Sequence, residues 1–202
     1  MKLIKVVLAA VVLIMSTTVI FAQSMSKKYK TIKVETVINA PAEKVWQAMV
    51  LDYGDIANFS PYIYSSGYIK GSLKGEQGAK RKCDFNEKGT RWVHETIKGI
   101  DYKNMTMRNI VIDAEKFPLD MDNSQAIYSV KDNGDGTSTA GYEFQYRAKP
   151  AFMTGMIKGS FEKTLAGTLV GLKHYVETGE EVNAMNGKYD EIKDKYPKPV
   201  SL

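Results

Sequence analysis

Glu95 stands between Val93 and Ile97 in the alternating segment Arg91 to Ile100. A carboxylate flanked by apolar residues two positions away on either side shares the inward face of a half-buried strand. Buried there, it can bind a hydroxyl or an amine, or act as a base if burial raises its pKa. On an exposed face it would pair with a neighbouring Lys or Arg instead, and the residues alone leave both readings open. Tyr128, in another alternating segment, offers a hydroxyl to the same interior. No further catalytic residue is assigned.

Other chemistries lack residues. Cys83 is the only cysteine, which excludes an intramolecular disulfide and a thiolate zinc cluster. It reads as a small buried hydrophobe of a strand; Arg81 and Lys82 would activate the thiol only at an exposed site. His94 and His174 are the only histidines, and neither belongs to an HExxH pattern. His94 alternates to the face opposite Glu95 and reads as a surface residue. No GxSxG elbow marks a nucleophilic serine. Asp132 and Glu143 have the spacing of the first and twelfth positions of a calcium loop. The sixth position, however, is Thr137 rather than Gly, and the flanks alternate as strands, so Lys131 to Gly136 reads as a hairpin turn. No metal and no cofactor are expected.

The elements that must position these groups follow from periodicity. Tyr29 to Ile38 alternates as a strand, with Thr36 interrupting the apolar phase. Pro41 fits a first helical turn, and Val45, Trp46 and Met49 then share one face. Asp52 to Ser60 reads as a second short helix or turn. Strands are expected at Tyr62–Ile69, Ala79–Phe85, Arg91–Ile100, Met105–Ile112, Ser124–Val130 and Thr137–Arg147. In the last of these Tyr142, Phe144 and Tyr146 share one face, and Glu143, Gln145 and Arg147 the other. Burial favours the aromatics inward, because unpaired buried charges are costly. Ala151 to Glu177 carries apolar residues at three- and four-residue steps and predicts one long helix, stopped by Gly179. Gly155, Gly159, Gly167 and Gly171 lie along it at four-residue spacings, where small residues permit close approach or leave room for a ligand. One strand, two short helices, about six strands and a long helix make an α+β chain.

The stretch VETVINAPAEKVWQAMVLDYGDIANFSP, Val34 to Pro61, carries a family likeness. Together with the step from Glu95 to Asp101, the Asp-Gly hairpin and Pro150 before the long helix, it resembles the START/Bet v 1-like superfamily (SRPBCC, polyketide cyclase-like). The resemblance covers roughly residues 29–178. It implies a helix-grip fold, in which a curved antiparallel sheet of about six to seven strands wraps a long C-terminal helix, with a hydrophobic ligand held between them. Similar proteins can carry a cavity carboxylate at the position of Glu95, and sometimes turn polar residues of the last strand inward. Ligand-binding candidates on the sheet are therefore Glu95, Ile97, Met105, Met107 and Tyr128, with Tyr142, Phe144 and Tyr146 on the last strand. On the helix they are Phe152, Met156, Phe161 and Leu165. Each apolar member also fits plain core packing. Met105, Met107, Met153 and Met156 form a soft set able to adapt to varied apolar ligands. Tyr62 and Tyr64 fall near the expected entrance.

Residues 1–22 read as a signal peptide, with Lys2 and Lys5 before an apolar run and a cleavage site after Ala22. The alternative is an uncleaved anchor, since Leu3 to Ala22 is near spanning length. Cleavage would leave 180 residues, a short linker over 23–28, the domain over 29–178 and a polar tail over 179–202 that can form a short extra helix but has flexible ends. It lowers the net charge from +5 to +3, with basic and acidic residues interleaved, which argues against nucleic-acid binding. The signal style points to a bacterial periplasm or to secretion. Three functions follow: an exported binder or carrier of a lipid, sterol-like or aromatic/polyketide-like molecule; a cyclase/dehydratase-type enzyme using Glu95; and a membrane-tethered lipid-sensing domain. The binder needs only a cavity and a few orienting groups, and membrane contact is possible in it but not required.

Overall fold

In β1 (Lys30–Ile38) the side chains of Ile32, Val34, Thr36 and Ile38 are buried at strict period two. Thr36 thus keeps the phase it was expected to break. The computed structural model describes residues 29–202; the signal peptide and the linker expected before Tyr29 lie outside them. Pro41 leads into α1 (Ala42–Trp46), which widens into a π turn over Gln47–Leu51. A 3-10 turn, Tyr53–Asn58, follows and bends at Asp55. Val45, Trp46 and Met49 are buried on one face, as their spacing predicts.

The strands β2 (Ser65–Tyr68), β3 (Lys80–Asp84), β4 (Trp92–Asp101), β5 (Thr106–Glu115), β6 (Gln125–Asp132) and β7 (Ser138–Tyr146) pair antiparallel in chain order. β1 returns to pair with β7, Lys30 opposite Tyr146 and Ile38 opposite Ser138. The turn between β6 and β7 is a hairpin in which Gly134 and Gly136 adopt φ of +79° and +84°, where a side chain would be strained.

Helix α2 (Lys158–Thr178) begins later than the expected Ala151. Residues Ala151–Thr154 form a 3-10 turn, and the Thr154 carbonyl accepts the buried Tyr146 hydroxyl at 2.9 Å. Gly179, at φ +81°, ends the helix. The helix is buried only over its C-terminal half, from Gly167 to Val176, where it packs on β1. Close approach explains this half: a Cβ on Gly171 would collide with the Phe59 carbonyl. The N-terminal half stands off the sheet.

The tail forms the short helix its sequence allows, α3 (Lys188–Ile192), but its end is tied down as β8 (Val200–Ser201), an eighth strand beside β1. Val182 and Ile192 are fully buried against Val170 of α2. His174 joins the tail through Tyr196 (Nδ1 to Oη, 2.8 Å) and Glu180 (Nε2 to Oε2, 2.8 Å). Val182, Tyr189, Ile192 and Tyr196, at steps of three to seven residues, carry this packing, although the composition of the segment is polar. Among the described residues no helix is long and apolar enough to cross a membrane.

Candidate functional site

Three neighbouring strands each carry one polar residue in an otherwise apolar inward phase. Ala79, Arg81 and Cys83 alternate on β3 and its entry, Val93, Glu95 and Ile97 on β4, and Met107, Asn109 and Val111 on β5. Register brings the three polar groups together. Arg81 lies opposite Glu95, and a shift between His94 and Glu95 adjusts the pairing of β4 with β5. Such irregularities re-aim side chains locally.

The result is a closed hydrogen-bonded network. Arg81 donates from Nε to Glu95 Oε2 at 2.7 Å, from one terminal nitrogen to the Tyr53 carbonyl at 2.8 Å, and from the other to the Tyr128 hydroxyl at 3.0 Å. Its guanidinium also lies over the Tyr53 ring, 4.1 Å from the centroid. Asn109 donates to Glu95 Oε1 at 2.7 Å and accepts the Tyr53 hydroxyl at 2.5 Å. The Cys83 thiol donates to Glu95 Oε2 at 3.6 Å. The Arg81 side chain is 1 % exposed, that of Glu95 13 %. Both are inward, so the surface reading of Glu95 is set aside.

Burial alone would favour the neutral form of Arg81, but the facing Glu95 carboxylate, together with Tyr128, Cys83 and Tyr53, outweighs it and holds the guanidinium charged. Burial pushes the hydroxyls of Tyr53, Tyr128 and Tyr142 well above the usual tyrosine range, although Arg81 opposes this in each. Burial likewise pushes the Cys83 thiol up, so it is a neutral core group and not a nucleophile.

Above the network, beneath the standing-off half of α2, lies a cavity of about 570 Å³, within the roughly 300–1,000 Å³ of small-molecule pockets. Its closed end is marked by the buried Arg81, Tyr128 and Tyr142. Phe85, Phe117, Phe144 and Phe161 make an aromatic middle, with Phe161 edge-on to Phe144 at 5.2 Å. The exposed wall members Arg91 and Lys163, with Tyr62 and Tyr64, mark its mouth.

Of the candidates named from sequence, the structure brings Glu95, Tyr128, Tyr142, Phe144, Phe161 and Leu165 to the cavity wall. Six others sit elsewhere. Ile97 and Met107 are buried in the core, away from the wall. Met105, at φ +45°, belongs to the turn before β5. Tyr146 is buried but points its hydroxyl at Thr154. Met156 is 75 % exposed, as is Phe152 at 76 %, because the helix starts after them. Sequence reasoning missed Arg81, Asn109 and Tyr53. The signal was present for two of them, as a polar residue holding the inward phase of its own strand.

A family model for polyketide cyclase / dehydrase and lipid transport matches residues 30–177. No curated protein sequence matches the chain. Solved structures do. Ara h 8.0201 has a TM-score of 0.60 at 20% identity, covering 74% of this chain and 99% of that one. Truncated norcoclaurine synthase from Thalictrum flavum has a TM-score of 0.57 at 15% identity, over 74% and 94%. XoxI from Bacillus cereus has a TM-score of 0.55 at 20% identity, over 74% and 96%. At these identities the likeness is one of fold. With the curved sheet, the long C-terminal helix and the cavity between them, the chain belongs to the polyketide cyclase / dehydrase and lipid transport family of the Bet v 1-like superfamily.

Proposed function

We propose that this protein is an exported binder or carrier of one small, largely hydrophobic molecule. The observation that carries the reading is a cavity of about 570 Å³ whose polar groups mostly satisfy one another. A general base must be free to take a proton from a substrate, whereas both Glu95 oxygens already accept hydrogen bonds. A mainly apolar wall with a few convergent polar groups is the chemistry of a binding pocket. A cyclase/dehydratase reading keeps one supporting fact, that Glu95 reaches the cavity wall. Export rests on residues 1–22 alone.

Native mass spectrometry of protein purified from its own source, followed by solvent extraction, tests the reading. A stoichiometric apolar compound is expected. Protein that is empty, and that does not take up the neutral dye phenylnaphthylamine, overturns it. The mature N-terminus, read on the same sample, is expected at Gln23; a retained Met1 would favour a membrane-tethered domain.

A further inference from the structure

The Tyr142 side chain is 2 % exposed and lines the cavity, yet its hydroxyl has no hydrogen-bond partner among the described residues. A buried hydroxyl without a partner is a standing cost to the fold. Its cross-strand partner Tyr128 is half-engaged: the oxygen accepts from Arg81, while the hydroxyl proton meets no acceptor among the described residues. The two rings meet edge-on, 4.6 Å between centroids. The closed end therefore holds two hydroxyl protons without an acceptor, and the Tyr142 oxygen is sealed from solvent, so a ligand oxygen meets it only when the side chain turns toward the cavity. The closed end presents no free charge, because Arg81 and Glu95 neutralise each other at 2.7 Å.

Resting on the binding reading above, we infer that the closed end is a subsite for a neutral oxygen, a hydroxyl, phenol or carbonyl, at the leading end of an otherwise apolar ligand, hydrogen-bonded by Tyr142 and Tyr128. A carboxylate or phosphate there would bring a second buried negative charge beside Glu95, and an amine a second positive charge beside Arg81; neither would have a counter-ion. The remaining cations of the wall, Arg91 and Lys163, are at the mouth. The ligand enters polar end first and leaves its apolar body among Phe117, Phe144 and Phe161.

The test is displacement of phenylnaphthylamine from the full mature chain by tetradecanol and by tetradecanoate at pH 8. The alcohol is expected to displace the dye at a concentration about tenfold lower, the worth of one good neutral hydrogen bond against an uncompensated charge. Tyr142→Phe removes only the unpartnered oxygen; it is expected to shrink the alcohol-to-acid ratio, taken within each protein, by about fivefold, while the urea midpoint stays level or rises. Dye that binds with the acid equal to or better than the alcohol overturns this inference but not the binding function, and points to Arg91 and Lys163 as readers of an anionic head. An unchanged ratio in Tyr142→Phe also overturns it. Absence of dye binding overturns the function itself, and with it the subsite.

Discussion

Arg81 and Glu95 are the two residues on which the interior of this protein turns. Each is tolerable in the core only because of the other. Arg81→Met leaves the Glu95 carboxylate without its counter-charge and is expected to cost about 3–5 kcal/mol in urea unfolding. The double variant Arg81→Met/Glu95→Gln removes both charges and is expected to recover a large part of that loss. A double-variant loss equal to the sum of the Arg81→Met and Glu95→Gln losses would show that the pair is not coupled. The buried hydroxyls of Tyr53, Tyr128 and Tyr142 make a second prediction at this scale. Their folded-state pKa values lie above the ordinary 10.0. The folded protein therefore holds these protons more tightly than the unfolded chain does. Their stabilising contribution is full below pH 10 and falls as pH rises past it. The urea midpoint is expected to be level from pH 7 to 9 in this respect and to drop above 10. An ultraviolet titration should show these tyrosines ionising only with unfolding, and early, reversible ionisation of all tyrosines would contradict the packing described.

Among the elements, α2 divides into a packed half and a roofing half, and its glycines report the division. Gly159 has no atom within 4 Å of where a Cβ would sit, while Gly171 abuts the Phe59 backbone. Gly159→Ala is expected to stabilise by about 0.5–1 kcal/mol through helix propensity. Gly171→Ala is expected to destabilise by about 1–3 kcal/mol, since backbone must move. Thermal unfolding of the two variants checks both signs, and a stabilised Gly171→Ala would mean that the packed half is looser than described. The late start of α2 matters as well. Tyr146, the last residue of β7, holds the Thr154 carbonyl in the turn that precedes the helix. The late start leaves Phe161 and Leu165, rather than Phe152 and Met156, above the cavity.

For the molecule as a whole, the tail is part of the fold that supports the site. Val182 donates its N–H to the Asn58 carbonyl at 2.8 Å, and Ala184 contributes to the cavity wall near Tyr62. Tyr62 in turn packs on Tyr189 of α3, 5.9 Å between ring centroids. Truncation after Gly179 strips cover from Val170 and removes one side of the mouth. Losing the burial of Val182 and Ile192 alone is worth about 3–6 kcal/mol. The truncated chain is expected to unfold at clearly lower urea and to bind phenylnaphthylamine more weakly. Unaltered stability would return the tail to the status of a loose appendage.

Local patterning in the sequence determined the strands and the α+β order and favoured the aromatic phase of β7, all from period-two and helical repeats within a dozen residues. It left the face of Glu95 open between interior and surface. Tertiary structure decided which inward residues meet a void and which meet one another. Ile97 and Glu95 share a face, yet one is core and the other reaches the cavity. The partnership of Arg81, Glu95, Asn109 and Tyr53 depends on register between strands and on a turn 28 residues before Arg81. Such pairings are set by the closure of the whole sheet. A local repeat can show that a polar residue points inward, but the partner that makes its burial tolerable is found only once distant segments have come together.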